Sequence, residues 1–509
     1  MKILYTLLFT FILFSSNGQV LKLNTLIKGK LIHYSPIVNE SSDILGYFYI
    51  YDHGKASKDV FDYAYVLLDK NLNLVCSGDF QEVKWTSSLF GSPKLGIEVE
   101  YLDNKIYIKL CESNDEFYKY FLRYRFLDLK TNKLTENYQY RNDSLFYSEE
   151  IKRTLSNASV NMELVPAQGI GVYAYTVPYR SDYKKLLKNN KSDMKMNMYD
   201  LNMKKKWEHK FDKEGQLHFN KLYSDSSLLV LNVTNFALKN VKSPFHSIKA
   251  LDANTGKELY DVTFSGNGQS IKAIDNIKTD GDKLILYGRY GTKVDGNILD
   301  DDETLGLFKT EINLKTGNIV NEKSISWIDI GVYLGHPMHK NGVNKRSYTK
   351  PFVHEFIGLS KDQSIVVIEN YADGRPIIRD LIIMKLDSSF APITHEYIEK
   401  DNRIGFTASG KTIKRYGEFD YHFSQSLDEQ DEILFFFSVN KRGTSYFSKT
   451  NEYNILSYLD QKFNYQKLEL KTDLSQIYPM PAKKGYMLLL EIFKDESKGS
   501  ELRLEKVNL

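Results

Sequence analysis

One unit recurs along this sequence, and it leaves few folds open. A β-prone run ends in Leu-Asp or a close variant, a small polar turn follows, and a second β-prone run begins. Copies include Val66-Leu67-Leu68-Asp69-Lys70-Asn71, Ala250-Leu251-Asp252-Ala253-Asn254-Thr255-Gly256 and Lys385-Leu386-Asp387-Ser388-Ser389. The Asp or Asn positions 69, 128, 200, 252, 313, 387 and 460 recur 52 to 74 residues apart. An Asp or Asn side chain caps such a turn by bonding nearby backbone, and Gly or Asn supplies a positive φ. The pattern is hairpin chemistry.

Upstream of each unit lies a dense apolar run, such as 46–51, 105–111, 283–290, 364–371 and 485–493. Runs this continuous read as strands buried on both faces. A further short strand precedes each run, as in Gly96–Tyr101 before the Leu102-Asp103-Asn104 turn. Each unit therefore reads as four antiparallel strands, a-b-c-d, in about 60 residues. Such units repeated radially predict an all-β fold, a β-propeller. Eight blades is the expectation and seven the alternative. The last unit ends after its c strand near 501–508, while an extra strand at Val20–Ile27 precedes the first a strand near Leu31–Val38. The expectation is that this N-terminal strand completes the last blade and closes the ring.

Met1-Lys2, an apolar run Ile3–Phe14 and then Ser15-Ser16-Asn17-Gly18 read as a secretory signal peptide spanning 1–18. The apolar run is too short to span a bilayer, and no Cys stands where a lipid anchor would need one. One propeller domain is expected over 19–509, with no transmembrane segment in the mature chain. The style of the leader and the Lys/Asn/Tyr-rich composition point to a bacterial protein, periplasmic or secreted. Lys plus Arg is 68 against 65 Asp plus Glu. That balance argues against nucleic acid as a partner. With two cysteines there is no disulfide scaffold and no Cys-rich metal site. Cys76 and Cys111 read as free thiols.

Ala250-Leu251-Asp252-Ala253-Asn254-Thr255-Gly256-Lys257-Glu258-Leu259-Tyr260 resembles the A-x-D-x-x-T-G-x-x-x-W repeat of PQQ-type propellers, with Tyr in the place of Trp. Phe356–Glu369 is similar to the strand-turn-strand of TolB-like propellers. The sequence contains no WD dipeptide, kelch Gly-Gly, Asp box or adjacent Cys pair, so the resemblance implies architecture and no activity.

The a–b and c–d turns are short. The b–c and d–a connections are often long and fall on one face, where binding residues of a rigid scaffold tend to sit. The connection Trp327–Lys350 is the richest chemically, with Trp327, Tyr333, His336, His339, Lys345 and Arg346. His336 and His339 have metal-like spacing, but Pro337 disfavours a helix and no carboxylate accompanies them, so no metal is expected. Trp85 lies on another long connection. Arg180 and Lys184 belong to a basic insertion at 178–192 suited to an anionic glycan or an acidic partner. Asp295–Glu303 clusters oxygens but lacks EF-hand spacing.

No nucleophile elbow, H-E-x-x-H or phosphate-cradling loop is present, and no cofactor is expected. The reading is a secreted or periplasmic, non-catalytic binding or scaffold module. Its partner would be an envelope or extracellular protein or glycan, met by Trp85, Arg180, Lys184, Trp327, Tyr333, His336, His339 and Arg346; the protein itself is expected to be a monomer. The alternative is an enzyme acting on a polysaccharide, with carboxylates from several blades in the axial funnel.

Overall fold

A computed structural model describes residues 19–39, 42–57, 60–83, 94–114, 119–135, 138–141, 144–147, 160–178, 195–211, 216–236, 246–264, 271–291, 304–372, 377–399, 420–427, 431–442, 449–468, 475–495 and 499–507. These residues build eight antiparallel sheets, and the fold is a β-propeller of eight blades. Seven sheets have four strands. Blade 5, for example, runs Ile271–Asp280, Lys283–Gly291, Thr304–Asn313 and Ile319–Ser326 in sequence order. Blade 6 runs Thr349–Gly358, Ser364–Ala372, Ile377–Leu386 and Pro392–Ile398.

Blade 2 departs from the pattern. Its fourth strand is broken into Lys133–Leu134 and Tyr138–Arg141, both paired with Lys119–Asp128, and a hairpin partner Ser144–Tyr147 is added. Blade 8 is composite: Ser475–Pro481, Tyr486–Phe493 and Ser500–Lys506 are joined by Gln19–Lys22. The N-terminal strand thus completes the last blade, as expected from sequence. It is shorter than expected, because residues 23–25 turn into a 3-10 helix that buries Leu23.

The recurrent Asp or Asn does cap its turn. Asp69, Asp128, Asp200, Asp252, Asn313 and Asp387 each accept, through Oδ1, two backbone N–H bonds from residues two to four positions on, at 2.8–3.1 Å. The Thr255 hydroxyl and N–H hold the Asp252 carboxyl below the usual carboxylate range. Asp460 differs: it and Gln461 both take positive φ, 49° and 63°, in a tight two-residue turn. Glycine supplies the left-handed residue at Gly256 and Gly317, but Leu72, Met203 and Phe390 take that role elsewhere. Leu72 and Phe390 are buried, so packing offsets their backbone strain.

Residues 1–101, 126–135 and 422–509 form one compact unit and residues 102–125 and 136–421 another. In the first, the face between blades 8 and 1 packs Tyr47, Tyr49, Val66 and Leu68 on Leu488, Leu490 and Leu502. In the second, successive blades 3 to 6 pack the same way, with alternate residues of each strand facing one neighbour or the other. An aromatic near the outgoing strand of one blade docks on the turn glycine of the next. Trp207 lies on Gly256 and donates its indole N–H to Ala253 O at 2.8 Å. Tyr260, the residue at the Trp position of the repeat, lies on Gly317. Neither cysteine is in a disulfide, and burial pushes the Cys76 thiol up.

Candidate binding site

The connection between blades 5 and 6, at 327–348, is fully described and tightly built. Ser326 caps a short helix, α1 (Trp327–Tyr333), its hydroxyl accepting from Asp329 N at 3.1 Å. Gly335, at φ +69°, ends it. The buried side of the connection anchors it. Trp327 is 1% exposed and its indole N–H donates to Thr304 Oγ1 at 3.1 Å. Ile330, Leu334 and Met338 join the core with Ile382, Met384 and Phe390.

The chain then folds into a hairpin. Met338 bridges Asn344, His339 N donates to Val343 O at 2.7 Å, and Lys345 N donates to Pro337 O at 2.9 Å. Buried Asn344 accepts from Arg346 N and Ser347 N through Oδ1, at 2.8 and 3.1 Å. This bracing holds outward a set of side chains of one character. His339, Lys340, Lys345 and Arg346 are exposed, and the Tyr348 ring is 72% exposed. Asp329 is the one acid in 327–350, and the Ser326 hydroxyl donates to its Oδ2 at 2.6 Å.

The residues singled out from sequence therefore divide. His339 and Arg346 stand on the presented surface. Tyr333 and His336 pack on the last strand of blade 6: Tyr333 meets His395 edge-on at 5.3 Å, and His336 stacks on Tyr397 at 4.6 Å. Trp327 is inside, as the anchor of the loop. His336 is turned to Tyr397 while His339 faces outward, and no group of three metal-type ligands occurs among the described residues. Trp85, Arg180 and Lys184, like Asp295–Glu303, lie outside the described residues.

A second polar feature follows directly in blade 6. The first strands of blades 5 and 6 each carry a β-bulge, at Asp275 and at His354. A bulge re-aims a side chain, and each of these meets a charge on the second strand of its own blade. Asp275 receives both Nε and Nη2 of Arg289 at 2.8 Å. His354 Nε2 lies 2.9 Å from Glu369, which is fully buried and also accepts the N–H groups of Asp420 and Tyr421 at 3.3 and 3.4 Å. Tyr421 in turn donates to Glu355 and sets its ring 5.0 Å from His354. These residues were not singled out from sequence. The signal was a charge inside an apolar run, Arg289 in Leu284–Gly291 and Glu369 in Ile365–Ala372.

Residues 1–508 match the model of a protein family described as "Family of unknown function (DUF6770)". The chain belongs to this family. No match is found among curated proteins. Solved structures similar to this DUF6770 chain include the WD40 domain of SCAP from fission yeast, at 9% identity over 96% of this chain and 98% of that one, with a TM-score of 0.38. The quinohemoprotein alcohol dehydrogenase ADHIIG from Pseudomonas putida HK5 matches at 10% identity over 96% and 76%, with a TM-score of 0.41. The polysaccharide lyase Uly1 matches at 8% identity over 81% and 89%, with a TM-score of 0.37. These likenesses bear on nothing beyond strand arrangement, which the sheet topology establishes by itself. No helix among the described residues is long and apolar enough to cross a membrane.

Proposed function

We propose that this DUF6770 chain is an exported, non-catalytic binding module, led out by residues 1–18, whose 336–348 hairpin engages an anionic glycan of the cell envelope or exterior. One observation carries the reading: a rigidly braced loop holds three cationic side chains, an imidazole and a bare tyrosine ring in water. Lys340, Lys345 and Arg346 supply charge, and Tyr348 offers a face on which a sugar ring can stack. Because the loop is pre-organised, little ordering cost falls on binding. Trp85, Arg180 and Lys184 belong to the same reading as further contacts.

The test is retention on an immobilised acidic polysaccharide against a neutral one. The double variant Lys345→Glu/Arg346→Glu is expected to lose roughly tenfold or more in affinity, since each exposed ion pair contributes up to about 1 kcal/mol. The wild-type affinity should fall with added salt, and that of the variant should fall less. Equal binding of the two proteins would sink the proposal.

A second reading is favoured by the bulged Asp275 and His354. Carboxylates and an imidazole held by a buried partner are the ingredients of acid–base chemistry on a polysaccharide. Release of new chain ends from the retained polymer would support it, and would leave the hairpin as the docking element of an enzyme.

A further inference from the structure

The face between blades 8 and 1 carries three phenols in a row. Tyr47, Tyr49 and Tyr51 alternate along the second strand of blade 1 (Ile44–Lys55), so they share one side of it, about 7 Å apart. Their side chains are 0, 0 and 2% exposed. The walls around them are Val66, Leu68, Leu488, Leu490, Leu502 and Leu504. None of the three hydroxyls has a hydrogen-bond partner among the described residues. Tyr49 is also the register partner of Tyr34 on the first strand of the blade (Lys30–Val38), and directly opposed side chains stand about 5 Å apart at Cβ. Tyr34 is half-buried, with its ring 6.0 Å from that of Tyr478, which is 36% exposed.

Buried hydroxyls in native proteins are almost always paired, with protein or with ordered water. Here the packed cluster is aliphatic apart from the partly buried phenols Tyr34 and Tyr486, and nothing among the described residues bonds the three hydroxyls. We propose that this face holds a file of bound water molecules, running from Tyr34 past Tyr49 to Tyr47 and Tyr51, that supplies the missing partners. A water bonded on both sides spans about 5.5 Å, so one or two molecules reach from each hydroxyl to the next. Burial pushes Tyr34 up to about 12 and Tyr49 well above the usual phenol range. All four phenols are therefore protonated at neutral pH, and each can both donate and accept. The ligand must match that: small, neutral, and both donor and acceptor. An anion does not fit, because the charge felt by Tyr47 is that of Asp69. Half-exposed Tyr34 and Tyr478 mark the side from which water exchanges.

Two measurements test this on the full chain. The first is the thermal midpoint of Tyr49→Phe, which keeps the ring and removes only the hydroxyl. If the hydroxyl is bonded to water, the midpoint falls by a few degrees. If the row is dry, losing an unpaired buried hydroxyl removes its desolvation cost, and the midpoint is unchanged or higher. The second is a crystal structure of the wild-type protein at a resolution that shows ordered water. Peaks within about 3 Å of Tyr49 Oη and of a neighbouring phenol are expected. A midpoint that does not fall, or a face with no such peaks, overturns the proposal.

Discussion

His246 lies on the third strand of blade 4, its ring edge-on to Phe264 at 5.1 Å and its Nε2 against Asn232 Oδ1. Close by is the Lys272 amine, itself buried, which pairs with Glu322 and sits 4.6 Å over the Phe264 ring. Burial, helped by the Lys272 charge, pulls the His246 pKa down from 6.5 to about 3. The imidazole therefore stays neutral in the folded protein, while the unfolded chain takes up a proton below pH 6.5. Since the unfolded state binds more protons there, stability falls as pH drops from 6.5 toward 3, by about 1.4 kcal/mol per pH unit from this residue. Urea midpoints at pH 7, 5.5 and 4.5 should decline in the wild type, and less steeply in His246→Gln. Parallel slopes would mean that the ring is solvated. At this scale the sequence is least informative. His246, Lys272 and Asp275 look like ordinary polar residues until strand pairing shows what stands opposite each one. The bulges at Asp275 and His354 depend on register with the neighbouring strand, which no local pattern encodes.

Among elements, the turns were the most legible. The capping Asp or Asn needs only its own next four residues, so its chemistry is local and survives as a motif. The left-handed position was read less well, because Leu72 and Phe390 occupy it on the strength of tertiary packing rather than backbone preference, and half-buried Met203 takes it as well. The broken fourth strand of blade 2 was not read at all. The glycines of the repeat do more than turn the chain. Gly256 has φ +70°, and a Cβ there would stand 2.5 Å from the Trp207 ring. Gly281, at φ +56°, has open space where its Cβ would go. Gly281→Ala should therefore cost only the left-handed penalty, about 1–2 kcal/mol. Gly256→Ala adds displacement of the docked indole and should cost about 2–4 kcal/mol. Urea unfolding of the two variants side by side separates conformational strain from docking, and equal costs would show that the aromatic contact contributes little. The 327–348 connection was singled out from sequence as the chemically richest one. Its inside and outside were not told apart, since a tryptophan in a long loop reads equally well as anchor or as contact.

The molecule as a whole was read from its repeat: eight blades, with the last completed by the first strand. That closure rests on four residue pairs, Gln19↔Leu504 through Lys22↔Glu501. A chain that begins at residue 23 would leave Ser500–Lys506 as an open edge, a template for pairing with another molecule. The truncated protein should self-associate as concentration rises, by size exclusion with light scattering, whereas the intact chain should not. A monodisperse truncation would mean that Leu23 and the following residues protect the edge without the strand.

The same pairing sets a timetable. Ser500–Lys506 is made about 480 residues after Gln19–Lys22, the strand it pairs with. At about 5–20 residues per second, some 25 to 100 s separate the two on the ribosome. Throughout that interval the tyrosine-bearing side of blade 1 has no blade 8 to cover it. The nascent chain therefore carries a bare apolar sheet face over that whole interval, a surface that a holdase chaperone would shield until the last hairpin arrives.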